Sequence, residues 1–187
     1  YVDEVAPANP RVMYVATTKG GVFRSTDGGK SWSEDLACGE IPRRLITRVE
    51  THPLSADTLV VTVASTGAPG LAIRSSDGTM TGKPEQKPYS HVFYSRDGGR
   101  SWKDLDGGAL PNVVYYAAVY ETHPPYRLFI AGDCGVLMAI ENGWMILTAN
   151  LPNVVVSDLV YHHGDQLLFA ATYGRGIWRM NLKRLKE

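Results

Sequence analysis

The feature that most restricts the fold is a four-fold internal repeat. RVMYVATT (11–18), DTLVVTVAST (57–66), YRLFIAG (126–132) and DQLLFAAT (165–172) are short β-branched and aromatic runs. Each leads through a Gly-bearing turn into a second run: GGVFRS (20–25), HVFYS (91–95), GVLMAI (135–140) and GIWRM (176–180). Each is preceded by an apolar stretch ending in a Pro- or Gly-bearing turn: VDEVAPANP (2–10), ITRVETHPLSAD (46–57), VYYAAVYETHPPY (114–126) and VVSDLVYHHGD (155–165). The first two units close with SWSEDL (31–36) and SWKDL (101–105), the third with WMILTANLP (144–152). A unit is therefore four strands, A to D, in meander order. At a period of about 40 to 50 residues, that is the pattern of propeller blades.

The expected architecture is all-β: a β-propeller segment of about four blades of four-stranded antiparallel meanders. The blades run approximately 1–38, 39–108, 109–151 and 152–185, and the last stops after its third strand. A polar, Gly/Pro-rich insertion, roughly 67–90, falls between strands B and C of the second unit and is expected to be a long surface loop. Only the tail NLKRLKE (181–187) has helical character. An open arc leaves two apolar blade faces uncovered. Further blades are therefore expected as partners, from the same parent protein, a second fragment or self-association. The sequence opens on Tyr1, as a processed or truncated chain would.

Composition narrows the function classes. With 19 basic and 19 acidic residues the formal charge is zero, which argues against nucleic acid as a partner. No apolar run is long enough for membrane insertion. Cys38 and Cys134 are the only cysteines; they fit no close-spaced metal motif and stand either as free thiols or as one disulfide.

STDGGKSW (25–32) and SRDGGRSW (95–102) share one spelling, 70 residues apart, both between strands C and D. A catalytic site rarely needs two copies. Asp27 and Asp97 can accept hydrogen bonds from their own turns, and Ser25 and Ser95 can add hydroxyl bonds. Gly29 and Gly99 permit positive φ, and Trp32 and Trp102 can bury ring surface on the blade. One Asp per loop is too few ligands for calcium, so no metal is expected. AIENGW (139–144) is an eroded third copy, with Ala139 for Ser and its Trp two positions early. SSDGTM (75–80), inside the insertion, reads as a simple turn.

The octets resemble the Asp-box, or bacterial neuraminidase repeat, of sialidases, xyloglucanase-like glycoside hydrolases and sortilin-type receptors. LLFAATYGRGIWRM (167–180) and the LPN phrase at 110–112 and 151–153 resemble the last blades of secreted bacterial proteins of this class. The resemblance implies a secreted, periplasmic or cell-surface protein and no cofactor. It also implies that ligands sit on the B–C and D–A end of the blades, opposite the boxes.

Loop 37–45, the insertion, loop 106–113, Asp133–Cys134, loop 149–154 and Tyr173–Arg175 fall at that end. The candidate ligand residues are Arg43, Arg44, Arg48, Tyr115, Asp133, Tyr173 and Arg175. Aromatic platforms with Arg and Asp partners suit a glycan or a protein segment. His52 and His123 recur in THP at matching A–B turns and read as turn structure, with His162 and His163 in the corresponding region of the fourth unit. No catalytic set assembles. The sialidase group of a Tyr with a Glu, an acid/base carboxyl and three arginines is missing. The acids at the candidate end, Glu40, Asp106, Asp133 and Glu85, show no pairing by spacing. The reading is a non-catalytic module for glycan or protein binding or assembly. The alternatives are the C-terminal portion of a glycoside hydrolase whose catalytic residues lie partly elsewhere, and a sortilin-like receptor or assembly-factor propeller.

Overall fold

The computed structural model describes residues 2–37, 39–64, 73–74, 80–81, 90–147 and 150–185. Cys38, Glu85, most of the insertion and residues 75–79 of SSDGTM lie outside the described residues. Four antiparallel sheets follow one another along the chain. The first is β1 (Val2–Val5), β2 (Met13–Ala16) and β3 (Val22–Ser25). The second holds β4 (Ile46–His52) and β5 (Ser55–Val63); after the short hairpin β6 (Ile73–Arg74) and β7 (Met80–Thr81), it continues with β8 (Val92–Ser95) and β9 (Lys103–Asp104). The third is β10 (Tyr115–Tyr120), β11 (Leu128–Gly132), β12 (Gly135–Ile140) and β13 (Gly143–Ile146). The fourth is β14 (Val156–His162), β15 (Leu167–Thr172) and β16 (Gly176–Asn181), followed by one 3-10 turn, Leu182–Arg184.

The first strands of the four sheets lie side by side in the order β1, β4, β10, β14. That is the innermost layer of a propeller arc. The period-two alternation of each strand sends its side chains to two neighbours at once. Leu59, Val61 and Val63 of β5 join Tyr14, Ala16 and Val22 of the first blade. Val60, between them in sequence, joins Tyr115, Ile130 and Leu137 of the third. Phe129, Ala131 and Met138 face Leu159 and Leu168 of the fourth. The core is thus three apolar seams, one per pair of blades. A strand buried on both faces reads as an unbroken apolar run, as LVVTV does.

The first blade has three strands where four were expected. The segment SWSEDL runs alongside β3, with Ser33 and Leu36 N–H donating to Arg24 and Val22 carbonyls (2.8 Å each). The reverse bonds are intercepted by side chains. Arg24 N–H donates to Ser33 Oγ (3.0 Å) and Val22 N–H to Asp35 Oδ1 (3.1 Å), so no continuous backbone ladder forms.

Among the described residues, the outer faces of the two end blades carry exposed apolar side chains. Val5 on the first, and Val160 and Ile177 on the fourth, are exposed apolar side chains; Ile177 is 74% exposed. These positions alternate with the ones that fill the seams, so they point where a further blade would lie.

Candidate functional site

Hydrogen bonds sort the loops onto two ends of the blades. Gly28 N–H donates to Arg11 O (2.9 Å) in the first A–B turn and Gly98 N–H to Asp57 O (2.8 Å) near the start of β5, which puts both octet turns at the A–B end. At the other end, a Cβ on Gly20 would lie 2.7 Å from the Arg44 backbone nitrogen, which places the first B–C turn on the 43–45 loop.

Each octet is internally saturated. Asp27 Oδ1 accepts from the Lys30 and Ser31 backbone N–H (2.9 and 3.0 Å), and Oδ2 from the Ser31 hydroxyl (2.6 Å). Asp97 accepts from Ser101 N–H and Oγ–H (2.9 and 2.6 Å), and Ser95 Oγ from Gly99 N–H (2.8 Å). These bonds, the Ser101 hydroxyl first, hold the Asp97 carboxyl down at about 2; the same set around Ser31 lowers Asp27. The Trp102 indole N–H donates to Leu36 O of the preceding blade (2.9 Å), and the Gly99 backbone lies against the Leu36 side chain. Trp32, its counterpart, is 41% exposed.

The candidate ligand residues do not form one site. Arg43 pairs with Asp35 of the SWSEDL segment. Tyr115 has no exposed surface: its ring stands edge-on to His91 at 5.5 Å, and its hydroxyl donates to Pro111 O (3.3 Å) while Cys134, a free thiol, donates to it (3.6 Å). Burial raises that phenol far above its ordinary value. Tyr115 belongs to the core because strand alternation, not its hydroxyl, sets which way it faces. Asp133 accepts from Val114 N–H (3.3 Å). Tyr173 is 82% exposed, and Arg175 is exposed beside it, its carbonyl taking the Trp178 indole N–H (3.0 Å). Arg44 is half-buried in the 43–45 loop.

Arg48 points inward instead. It lies on β4, with Nε donating to Ala118 O of β10 (3.4 Å) and Nη2 on Asp158 of β14 (3.0 Å). It belongs to a polar ladder between innermost strands, which composition and motif reading missed. Thr47 Oγ1–H donates to Tyr115 O, Glu50 Oε1 accepts from Tyr120 N–H (3.2 Å), and Thr51 Oγ1–H donates to Glu4 (2.9 Å). The inner edge of a blade has unpaired N–H and C=O groups, and these β4 side chains satisfy them. Burial, then the neighbouring Glu4 charge, pushes the Glu50 carboxyl up from 4.5 to about 8. The polar residues at every few positions of ITRVETH were the available signal.

Among the described residues, the acids of the candidate end are engaged in structure. Asp106 is fully buried with His91: Oδ2 takes the ring Nδ1 (2.7 Å) and the His91 backbone N–H (3.0 Å), and Oδ1 takes Leu110 N–H (2.9 Å). His91 Nε2 meets Asn112 Oδ1 (3.3 Å), so the first LPN phrase is tied down by this pair. Glu40 caps the Trp102 N–H. At the opposite end, His52 packs on Tyr120 and Tyr126, and His123 stacks on His163 at 4.2 Å. Among the described residues no group of three or more His, Cys, Asp or Glu is placed to hold a metal ion. Nor does any helix there have the length and apolarity to cross a membrane.

Innermost first strands, antiparallel meanders and seams between successive sheets define a β-propeller segment. Solved structures of the same shape agree. An ancestral GH74 enzyme superposes over 91% of this chain with TM-score 0.59 and 20% identity. The extracellular domain of a hybrid two-component system from B. thetaiotaomicron does so over 100% of it, with TM-score 0.62 and 12% identity. YCF48 bound to a D1 peptide matches over 91%, with TM-score 0.56 and 15% identity. The chain spans 21%, 21% and 47% of those chains respectively. At these identities the likeness shows the fold. No protein-family model matches the sequence, and no curated protein is similar enough to count as a relative.

Proposed function

We propose that this chain is part of a larger Asp-box propeller that serves as a non-catalytic binding or assembly module in a secreted, periplasmic or cell-surface protein. Its ligand is a glycan or a protein segment. The observation that carries the reading is the engagement of the described acids at the candidate ligand end. Asp106 is locked to His91 and backbone, Asp133 caps Val114, and Glu40 caps Trp102. Among the candidate residues exposed at that end are Tyr173 and Arg175, an aromatic and a cation suited to recognition. The bare end faces and the exposed Trp32 support partnership with further blades. A protein of this shape, YCF48, has a D1 peptide bound, which supports a protein segment as ligand.

A glycan array and a protein pull-down on the parent protein, with Tyr173→Ala and Arg175→Ala controls, test the reading. Binding to either class that weakens in those variants supports it. Hydrolytic turnover would overturn it.

One observation favours the second reading, a portion of a glycoside hydrolase. Glu50 is a carboxyl held protonated at neutral pH, as a general acid must be, and GH74 enzymes share the fold. Loss of turnover in Glu50→Gln of the parent protein would establish it.

A further inference from the structure

In the first seam, one face of a blade meets the next blade through apolar packing and one ion pair. Tyr14, Ala16 and Val22 of the first blade are fully buried against the second. The Tyr14 hydroxyl donates to Ala56 O (2.7 Å), and the Arg24 guanidinium pairs with Asp57 near the start of β5. Arg24 stands opposite Tyr14 in the β2–β3 register, its guanidinium carbon 5.8 Å from the Tyr14 ring centre. The guanidinium also lies against Gly98 of the second octet turn, where a Cβ would collide with it.

The fourth blade carries a copy of that face. ATTKGGVFRS (16–25) and ATYGRGIWRM (171–180) share one spacing. Their B–C turns match: Thr17 N–H donates to Gly21 O (2.9 Å), and Thr172 pairs with Gly176. Phe169 therefore stands for Tyr14, Ala171 for Ala16, Ile177 for Val22 and Arg179 for Arg24. Arg179 is opposite Phe169 as Arg24 is opposite Tyr14. The seams between the second, third and fourth blades do not use this pairing, since Tyr94 and Met138 hold the Arg24 position there. Arg179 is exposed, and no acid pairs with it among the described residues.

The chain's own first blade does not supply that acid. Gly28 N–H donates to Arg11 O as Gly98 N–H does to Asp57 O, so Arg11 stands where the second blade has Asp57. A second copy docked through its first blade would set Arg11 against Arg179, and like charges across an interface suppress the pairing. We propose that the outer face of the fourth blade is an interface for a further propeller blade that resembles the second one, with an acidic residue near the start of its second strand to pair with Arg179, and that it rejects the first blade of another copy. Phe169, Ala171 and Ile177 supply the apolar area, and the ion pair selects the partner. The inference deepens the proposed partnership with further blades, on which it rests, by naming the face and the charge that choose the partner.

The test is light scattering over a concentration series with the 187-residue chain, using its own first blade as the probe. Arg11→Asp places an acid on that blade where the second blade has Asp57. This variant should associate head to tail about tenfold or more tightly than the native chain. The double variant, Arg11→Asp with Arg179→Glu, should stay a single chain, because two acids then face each other. Native chain mixed with the double variant should associate, since each offers the other an opposite charge. Ile177→Asp added to Arg11→Asp changes an exposed position. It should abolish association while leaving far-UV circular dichroism unchanged. Native chain that associates as tightly as Arg11→Asp overturns the proposal, in favour of a second copy as the occupant. So does Arg11→Asp that stays single, or association that survives Ile177→Asp. Glycan or protein capture that depends on Tyr173 and Arg175, alongside failure here, would sink the blade interface and leave the general binding reading standing.

Discussion

Replacing Glu50 with Gln isolates the electrostatic load on the inner ladder. The Glu50 carboxyl titrates at about 8 in the fold against 4.5 as its ordinary value, because burial and the Glu4 carboxylate oppose its charge. The folded chain thus keeps a proton that the unfolded chain releases. Stability must fall as pH rises from about 4.5 to about 8, and the loss levels off above that. At about 1.36 kcal/mol per pH unit the whole interval sets a ceiling of roughly 5 kcal/mol. Water reaching a partly accessible carboxyl and relaxation of Arg48 and Asp158 lower this, to the order of 2 kcal/mol between pH 5 and pH 8. Gln keeps an oxygen to accept the Tyr120 N–H but carries no charge. Urea melts of both proteins across that range should show the variant gaining on the wild type by about 2 kcal/mol as pH rises. A stability difference that stays constant with pH would refute the reasoning, since a merely steric effect has no proton linkage.

Trp102→Phe should keep the ring in its seam but lose the bond to Leu36 O, costing about 1 kcal/mol in denaturant melts. Asp97→Ala should destabilise at neutral pH. That difference should shrink in melts as pH falls below 3.8 towards about 2, because a carboxyl lowered by its turn contributes only while ionised. Glu121→Ala strands the buried Arg127, which also donates to Leu182 O (3.2 Å). Its expected cost is about 3–5 kcal/mol, and hydrogen exchange should report early opening of 182–185.

The blades are legible in the letters because alternation and turn spacing are local. VMYVAT, LVVTV and LFIAG cannot bury both faces in water and must stack against neighbours. The closing strand of the first blade misled because Ser33 and Asp35 compete for the very N–H groups a ladder would use. Tyr115 misled for another reason. Tyr115 and Tyr116 are adjacent in sequence and on opposite sides of a strand, and only the register decides which one enters the core. The ladder from β4 was equally hidden. Thr47, Arg48 and Glu50 look like ordinary surface positions until β10 lies beside them.

AIENGW shows the division most clearly. Sequence alone reveals that a turn motif present twice has decayed in its third place, and that this turn lies between strands C and D. That much follows from spacing. That the intact turn at 95–102 reaches across a seam, with the Trp102 indole N–H on the Leu36 carbonyl, depends on two blades meeting. Leu36 and Trp102 stand 66 residues apart in the chain, and only packing brings them to one place.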